Sequence, residues 1–433
     1  MPPDGGAGIC LSNRLHFAAG TTDWAGLLAE AAQNLGAPAR YAGVRLIFVV
    51  ASARAALAAL VYGLAHGLDC GVIETARLSP EVGARFAGAG VVLIDAFSGA
   101  VLGQGGDLAP EHQPGHGGDH VPGRVTVLTS GTTGLLKLIP HSAATLNTFD
   151  RVKSLPANSW FLPYQVGSYA WYQMVALGLF MPGQDLAPGD FSDLAASFAA
   201  ALRCGTVTAI SSTPTFWRHA LMSLDTDLLA GAPLRRLSLG GEIVDQAILD
   251  RLAALYPQAQ IRHIYASSEA GAAIVVTDGR AGFAESLLHH ADGRIGLKIE
   301  EGRLFIRSPY GNKAAAGDWI DSGDLVENRA GRIHFCGRAG NSMINVGGQK
   351  AFPADIEAHL LSHPDVIWAQ VTARRAPLVG YLPVASVVLG RKLEADTAEA
   401  MLTAHCQTRL ADYAVPRLWD FPDTVPIRAS LKS

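Results

Sequence analysis

Segments typical of buried strands alternate with segments typical of amphipathic helices in the first part of this chain. Leu46 to Val50 is a continuous apolar run, which indicates a buried parallel strand, and Val91 to Asp95 is a second strand. Asp23 to Leu35 and Arg54 to Leu64 have the apolar spacing of helices. Because such alternation is typical of βαβ units, the sequence predicts an α/β fold built from doubly wound sheets.

A glycine-rich loop directly follows the predicted strand Val125 to Leu128. The loop contains Thr129, Ser130, Gly131, Thr132, Thr133 and Gly134, and Lys137 comes shortly after it. Glycines let a backbone approach a phosphate closely, and N–H groups, hydroxyls and a lysine charge bind its oxygens. The spacing of the glycines differs from that of the Walker A motif GxxxxGK[ST]. An ordinary connecting loop without a ligand is the alternative that this motif alone leaves open.

Composition argues against several functional classes. The 433 residues carry a net charge of −4, so the chain lacks the excess of basic residues that is typical of nucleic-acid-binding proteins. The five cysteines form no CxxC pair and the N-terminal residues lack a signal-peptide pattern, so we expect a cytoplasmic protein. Ser154 to Gln184 contains no charged residue, but its prolines, glutamines and glycines predict a strand, a loop and a buried helix, with no membrane span.

The second half of the chain has a different order of elements. Ile243 to Tyr256 is predicted to be a helix, and Ile261 to Tyr265 a strand. From Gly293 to Phe335, short strands and turns predict a small β-barrel-like part. A compact α+β segment follows, with a helix at Ala354 to Leu361.

The domain boundary is predicted near Gly337–Asn341, where glycine and asparagine suit a hinge. We therefore expect a large N-terminal domain at residues 1–337, which includes the β-barrel-like part. A small, mobile α+β C-terminal domain is expected at residues 338–433.

Six motifs, in this order, resemble those of the adenylate-forming superfamily, which includes acyl-CoA synthetases, the adenylation domains of peptide synthetases, and luciferase. They are LTSGTTGLLK at 128–137, SLGGEIV at 238–244, YASSEAG at 265–271, WIDSGDLVE at 319–327, GRAGNSMINVGGQKAFPADIE at 337–357 and VPIRASLKS at 425–433. The resemblance covers nearly the whole chain. It implies ATP-dependent activation of a carboxylic acid as an acyl-adenylate, followed by transfer of the acyl group to a thiol.

The resemblance also implies where ATP binds. Tyr265 would stack on adenine, Ser268 would contact the α-phosphate, and Asp324 and Arg338 would bind the ribose hydroxyls. The full set of residues assigned to the nucleotide is Thr129, Ser130, Gly131, Thr132, Thr133, Gly134, Gly240, Gly241, Glu242, Tyr265, Ala266, Ser268, Asp324 and Arg338.

The residues that the same resemblance assigns to catalysis are Lys432, Glu269, Thr132 and Lys137. Glu269 would hold Mg²⁺, a cation that prefers oxygen ligands and binds proteins through few carboxylates together with phosphates. Lys432, on the small domain, would supply positive charge during adenylation.

Some positions depart from the usual motifs. Ala266 replaces a glycine, Ser268 and Ser322 replace threonines, and Gly340-Asn341 stand where an acidic hinge residue is common. These departures favour a specialised biosynthetic enzyme and leave open a weakened adenylation step.

The pocket for the acid is expected to be mainly apolar. The residues that the resemblance assigns to it are Gln165, Val166, Gly167, Tyr169, Phe216, Trp217 and Gly271. The resemblance places this pocket near Tyr164–Gln173, where relatives that activate amino acids generally have an acidic residue to pair the ammonium group. No Asp or Glu occurs between Lys153 and Asp185, so an amino acid is disfavoured because its buried ammonium group would lack a partner. Gln165 both donates and accepts hydrogen bonds, so it suits a substituent on an aromatic ring. Each aromatic residue of this set is alternatively part of the core.

The sequence therefore predicts a ligase that uses ATP, Mg²⁺ and coenzyme A to activate an aryl or acyl carboxylic acid. One alternative is a stand-alone ligase that loads the phosphopantetheine thiol of a separate acyl-carrier protein. A further alternative is a weakened homologue that binds an acyl-adenylate or thioester.

Overall fold

The computed structural model divides into two compact units, which we describe separately. The first unit contains Met1–Ser211, Ser267–Gly271 and Pro309–Ala314, and the second contains the rest of the chain. The residues that the structure describes are 9–103, 121–130, 136–149, 152, 154–190, 192–289, 295–311, 318–338, 343–376 and 380–426.

The first unit is mixed α/β. Its described strands and helices, in chain order, are β1 (Arg14–Phe17), β2 (Gly20–Asp23), α1 (Trp24–Leu35), β3 (Arg45–Val50), α2 (Ala53–Ala65), β4 (Asp69–Glu74), α3 (Pro80–Gly88), β5 (Val91–Asp95), β6 (Val101–Gly103), β7 (Arg124–Ser130), β8 (Leu136–Ser142), α4 (Ala143–Leu146), β9 (Asn158–Leu162), α5 (Tyr169–Phe180), β10 (Gln184–Pro188), α6 (Leu194–Arg203) and β11 (Ala209–Ser212).

One sheet of this unit has the strand order β6-β5-β3-β4-β7-β8. Its central strands run parallel, with Ile47 of β3 opposite both Gly71 of β4 and Leu93 of β5. The apolar side chains of Leu46 to Val50 are buried, and α2 packs against β3 and β4. The βαβ units expected from the alternation of elements are therefore confirmed.

Another set of strands has the order β2-β1-β10-β9-β11, with β9 parallel to both β10 and β11. The uncharged stretch Ser154 to Gln184 forms β9, a connecting loop and the helix α5, as predicted. Within the described ranges, no helix is long and apolar enough to cross a membrane.

The second unit contains the remaining elements, except that the last residue of β13 (Ser267) and the first residue of β14 (Gly271) belong to the first unit. Its described helices and strands are α7 (Pro214–Ser223), α8 (Thr226–Ala230), β12 (Arg236–Gly240), α9 (Gln246–Leu255), β13 (Gln260–Ser267), β14 (Gly271–Val276), β15 (Phe283–Ala284), β16 (Gly296–Glu300), β17 (Arg303–Arg307), β18 (Ile320–Arg329), β19 (Arg332–Arg338), β20 (Ile344–Val346), β21 (Gln349–Ala351), α10 (Pro353–Leu360), β22 (Val366–Ala376), β23 (Gly380–Leu389), α11 (Ala395–Gln407) and β24 (Leu418–Asp420).

The helix α9 is shorter than its prediction. It begins at Gln246 rather than Ile243, because Asp245 is its N-cap and its carboxylate accepts a hydrogen bond from the Ile248 amide. An Asp side chain satisfies one of the free amides of the first turn, so it fixes the helix start more strongly than apolar spacing does.

Two further sheets of the second unit are antiparallel for the most part. The segment expected to be β-barrel-like forms a five-stranded sheet in the order β15-β19-β18-β17-β16. The C-terminal part has the order β21-β20-β23-β22, with β24 beside β23 and a core formed with α10 and α11. The domain boundary after residue 337 stays a prediction, since residues 339–342 lie outside the described part of the chain.

Candidate active site

Three of the predicted nucleotide residues meet in the second unit. Tyr265 lies near the end of β13, and Asp324 pairs with Arg338 across the β18–β19 hairpin. The Tyr265 hydroxyl donates a hydrogen bond to Asp324 Oδ2, and Arg338 Nε donates to Asp324 Oδ1 at 3.0 Å. Each carboxylate oxygen keeps a further lone pair. The Asp324 carboxylate is therefore held in place and still able to accept hydrogen bonds from ribose hydroxyls.

Ser322, which replaces the usual threonine, fixes the backbone beside Asp324. Its hydroxyl donates to the Leu304 carbonyl at 2.6 Å and accepts from the Asp324 amide at 3.1 Å. Arg338 also donates to the Ser322 carbonyl at 3.0 Å. The serine hydroxyl therefore supplies contacts that orient this turn.

Burial and the neighbouring groups have opposite effects on the pKa of Asp324, which lies above its ordinary value because burial is the largest effect. Burial raises the pKa of Asp324, and the hydrogen bond from Tyr265 and the charge of Arg338 lower it. Burial and the nearby Asp324 carboxylate both raise the pKa of Tyr265, so its hydroxyl stays protonated and acts as a donor.

Phe335 was not anticipated from the sequence. Its ring stacks on Tyr265, with centroids 4.9 Å apart and planes inclined by 10°. The residue lies on β19 and is half-buried, so no sequence pattern distinguishes it from an ordinary strand residue. It packs against one face of the Tyr265 ring and so restrains its orientation.

The predicted adenine-bordering segment follows β12. A Cβ on Gly240 would lie 3.0 Å from the Ile264 carbonyl oxygen, and Gly241 has a φ of +82°, which favours glycine. The Glu242 carboxylate accepts hydrogen bonds from the amide of Thr215 at 3.0 Å and from its hydroxyl at 2.8 Å. The Glu242 side chain therefore stabilises the start of α7. The role of Gly240, Gly241 and Glu242 toward a nucleotide stays a prediction.

Phe216 and Trp217, predicted for the acid pocket, lie on α7 and are 1% and 0% exposed. The Trp217 ring lies 6.1 Å from Phe216 and 5.9 Å from Tyr256, centroid to centroid. This environment matches the core alternative for Trp217, and contact with an acid stays a prediction. The neighbouring Arg218 forms a buried ion pair with Asp245.

The phosphate-loop motif lies only partly within the described residues. Thr129 and Lys137 are paired across the β7–β8 hairpin, and the Lys137 side chain is exposed. Gly131, Thr132, Thr133 and Gly134 lie outside the described residues, as do Lys432 and the side chain of Ser130. Their roles therefore stay predictions from the sequence.

Glu269 is half-buried in the first unit, beside Ser268. Among the residues that the structure describes, its carboxylate has no hydrogen-bond or ion-pair partner. A half-buried carboxylate whose oxygens have no such partner suits Mg²⁺, which binds oxygen ligands.

His141 lies beside this segment. The Ser268 carbonyl oxygen lies 2.9 Å from His141 Nε2, and burial lowers the pKa of His141. This histidine was missed because a lone buried histidine carries no motif.

A different group of potential metal ligands, Glu327, Cys336 and Asp355, lies in the second unit. Arg329 already forms ion pairs with Glu327 and Asp355, each at 2.8 Å. Burial raises the pKa of the Cys336 thiol to about 11, which disfavours the thiolate that binds metals. We therefore assign no metal to this group.

The remaining acid-pocket residues lie in the first unit. Gln165 and Val166 are buried in the loop before α5, and a Cβ on Gly167 would lie 2.5 Å from the Val72 carbonyl oxygen. This close approach requires glycine and fixes the loop against β4. The loop is also anchored by Arg77, which donates to the Val166 carbonyl at 3.3 Å.

Tyr169 begins α5, and the His141 ring lies 5.4 Å from it, centroid to centroid. Gly271 has a φ of +78°, and a Cβ there would lie 2.6 Å from Tyr310 and 3.4 Å from the Tyr169 hydroxyl. A larger residue at 271 would therefore fill the space beside Tyr169. Tyr310, which was not predicted, is a further wall of this region.

Two family models match this chain. The model described as "AMP-binding enzyme" matches residues 35–323, and the model for the C-terminal domain of the same enzymes matches residues 355–432. The first match alone covers more than half of the chain.

Curated relatives match over a limited region. The 2-succinylbenzoate–CoA ligase of Geobacillus kaustophilus (strain HTA426) is 34% identical over 166 residues, which are 36% of this chain and 33% of the relative. The ligase of the same name from Bacillus subtilis (strain 168) is 30% identical over 167 residues, 36% of this chain and 33% of the relative. The matched part thus spans about a third of the length of these relatives.

Solved structures with the same fold match nearly the whole chain. The anthranilate CoA ligase AuaEII, in complex with anthranoyl-AMP, has a TM-score of 0.73 at 17% identity and covers 97% of this chain and 92% of its own. The o-succinylbenzoate CoA synthetase MenE from Bacillus subtilis, in complex with OSB-AMP, has a TM-score of 0.64 at 19% identity, with coverages of 98% and 93%.

Proposed function

This chain belongs to the AMP-binding enzyme family, and from that premise we propose that it activates a carboxylic acid with ATP and transfers the acyl group to a thiol. The observation that carries the proposal is the Asp324 carboxylate, which Tyr265 and Arg338 orient while its remaining lone pairs stay available. A carboxylate at this position accepts hydrogen bonds from the ribose hydroxyls of a nucleotide.

Adenylation needs positive charge, because a carboxylate and the phosphates of ATP are both anionic. We assign this charge to Lys137, to Lys432 and to Mg²⁺, which when bound would neutralise the phosphates and would be held by Glu269. Thr132 and Ser268 would contact phosphate oxygens. The lysines suit this role because each is a compact charge on a long, mobile side chain.

The proposed reaction has two steps, adenylation and acyl transfer. In the first, an oxygen of the acid carboxylate forms a bond to the α-phosphorus of ATP, and the bond from that phosphorus to the bridging oxygen breaks, releasing pyrophosphate. In the second, the thiol sulfur forms a bond to the acyl carbon, the bond from that carbon to the phosphate oxygen breaks, and AMP leaves. The thiol proton passes to solvent.

An aryl acid is the proposed substrate class. The region around Gln165 and Tyr169 is apolar except for a few polar groups, and such pockets suit small, largely apolar ligands. The absence of any Asp or Glu between Lys153 and Asp185 disfavours an α-amino acid. Relatives named for 2-succinylbenzoate and anthranilate also act on aromatic acids, which supports this choice.

Coenzyme A is the proposed thiol, because the named relatives are CoA ligases. A phosphopantetheine thiol on a separate carrier protein is the competing acceptor. A cytoplasmic location, which would supply ATP and coenzyme A, stays a prediction from the sequence.

Acid-dependent exchange of pyrophosphate into ATP tests the first step. A panel of benzoates, aliphatic acids and amino acids should give exchange with one or more benzoates, and none with the amino acids. Exchange with no acid of the panel, although the protein binds ATP, would contradict the proposal. The weakened homologue predicted as an alternative would give this result and yet bind acyl-adenylate.

A measurement of acyl transfer distinguishes coenzyme A from a carrier-protein phosphopantetheine as the thiol acceptor. With the best acid and MgATP, coenzyme A should be converted to the acyl thioester, which mass spectrometry detects. Adenylation without thioester on coenzyme A, but with acylation of a phosphopantetheinylated carrier protein, would overturn the assignment of the thiol alone.

A further inference from the structure

His141 contacts three separate segments of the first unit. It is the second-last residue of β8, where it pairs with Val125 of β7. The residue is 4% exposed, its Nε2 lies 2.9 Å from the Ser268 carbonyl oxygen, and its Nδ1 lies 3.1 Å from Thr145 Oγ1. Its ring also lies beside that of Tyr169. One buried side chain therefore connects the strand after the glycine-rich loop, the loop that carries Glu269, and the start of α5.

The hydrogen-bond partners determine which nitrogen of His141 carries the proton. A backbone carbonyl oxygen only accepts, so Nε2 donates to Ser268. In the neutral ring Nδ1 then accepts from the Thr145 hydroxyl at 3.1 Å, a proton for which the Ser142 carbonyl oxygen at 3.2 Å is a second acceptor. The hydroxyl oxygen in turn accepts from the Ser142 amide at 2.9 Å. Because both nitrogens have partners, the ring has a fixed orientation in the structure.

The contact with Ser268 restrains Glu269 through the peptide bond. The Ser268 carbonyl belongs to the planar peptide unit that ends at the Glu269 Cα, so holding its oxygen limits rotation of that whole unit. A further hydrogen bond, from the Ala270 amide to Ser267 Oγ at 3.0 Å, is internal to this segment. The Glu269 carboxylate itself has no hydrogen-bond or ion-pair partner within the described ranges.

We propose that His141 is a positioning residue for adenylation, which holds the Ser268–Glu269 segment against β8. The inference rests on the proposed function, in which Glu269 is the magnesium ligand and Ser268 contacts the α-phosphate. His141 on β8 and Ser268 in the motif YASSEAG are 127 residues apart in the sequence, and their hydrogen bond joins the two segments directly.

Three substitutions separate the hydrogen bond from packing. In His141→Gln the amide nitrogen reaches the place of Nε2 and can donate to Ser268. In His141→Leu the side chain has a similar volume but donates nothing. In His141→Asn the side chain is polar but too short, so it should behave like leucine even if the leucine variant folds poorly.

The first measurement is amide hydrogen exchange in the peptide 267–271 without any ligand. Exchange should be faster in the leucine and asparagine variants and close to that of the unsubstituted protein in the glutamine variant. The second measurement is the Mg²⁺ concentration that half-saturates pyrophosphate exchange. It should rise about tenfold without the donor, because loss of a residue that orients a metal ligand typically costs about 10–100-fold.

His359 supplies a matched control. It is 7% exposed, and its Nε2 lies 2.9 Å from the His405 carbonyl, so His359→Leu removes the same kind of buried hydrogen bond elsewhere. This variant should lose comparable stability and leave both the 267–271 exchange and the Mg²⁺ half-saturation unchanged.

Two results would overturn the inference. One is an unchanged amide hydrogen exchange at 267–271 in His141→Leu. The other is a rise of the Mg²⁺ half-saturation in His141→Gln and His359→Leu that equals the rise in His141→Leu. Absence of adenylation in the unsubstituted protein would contradict the proposed function instead. In that case the exchange measurement, which needs no activity, still decides whether His141 orders this segment.

Discussion

The two regions proposed to bind MgATP differ in how their carboxylates are held. In the second unit, Asp324 accepts hydrogen bonds from Tyr265 and Arg338, and Tyr265 stacks on Phe335. In the first unit, the backbone beside Glu269 is fixed, but its carboxylate has no hydrogen-bond or ion-pair partner in the described part of the chain. From this difference we predict that Asp324 contributes to the stability of the fold as well as to the proposed ribose contact, whereas Glu269 contributes to the chemistry alone.

Glu269→Gln should give the largest effect on activity. We expect adenylation to fall by about 10²–10³-fold, the usual effect of losing one group that stabilises transition-state charge. The free energy of unfolding should change by less than about 0.5 kcal/mol, since no hydrogen-bond or ion-pair partner within the described residues is lost. Pyrophosphate exchange and thermal unfolding measure the two quantities.

Glu399→Gln, on the exposed face of α11, removes the same charge elsewhere and should change neither quantity. Near-normal exchange of Glu269→Gln at limiting Mg²⁺ would remove Glu269 from the metal site. A large loss of stability would contradict the proposed contrast between the two regions.

Asp324→Ala should affect both binding and folding. The KM for ATP should rise by about 10–100-fold, because hydrogen bonds to charged groups contribute about 1.5–3 kcal/mol. The free energy of unfolding should fall by about 1–3 kcal/mol, since Tyr265 loses its acceptor in a largely buried place. Steady-state kinetics and urea unfolding measure these changes.

Asp278→Ala is the control for this prediction. Asp278 accepts two hydrogen bonds from Arg332, at 2.8 and 3.1 Å, so its removal breaks a comparable pair in the same unit. It should reduce stability without changing the KM for ATP. If Asp324→Ala changes stability alone, the cluster is structural and the ribose assignment is wrong.

Phe335→Leu should have the smallest effect. Loss of the stacked pair costs about 0.5–1.5 kcal/mol, so stability should fall by this amount and the KM for ATP should rise by about 2–10-fold as Tyr265 becomes less ordered. Phe305→Leu, on β17 of the same sheet, replaces another half-buried ring and should leave the KM unchanged. Equal changes of KM in both variants would mean that Phe335 acts through general packing.

The fold was predictable where burial dictates the sequence pattern. The strand Leu46 to Val50 is covered on both faces by packed elements, so every side chain is apolar and the pattern is unambiguous. The predicted start of α9 was wrong by three residues. Val244 continues the apolar spacing of the helix toward the N-terminus, but the helix begins only after its N-cap, Asp245. Spacing reports the buried face, and capping determines the boundary.

The candidate site was predictable only where a motif carries it. Tyr265, Asp324 and Arg338 belong to separate motifs of the resemblance, and the structure brings them into contact; their roles toward a nucleotide stay predictions. His141 and Phe335 were missed, because their importance comes from contacts with residues distant in sequence. Local patterns contain no information on which distant carbonyl or ring such a side chain will meet.

Crystals grown with MgATP and the best acid of the panel test the central claim most directly. An acyl-adenylate formed in the crystal should place its ribose hydroxyls within hydrogen-bond distance of the Asp324 carboxylate, and its adenine on the face of Tyr265 opposite Phe335. A nucleotide bound away from Asp324, or ATP that remains unreacted beside a bound acid, would contradict the account.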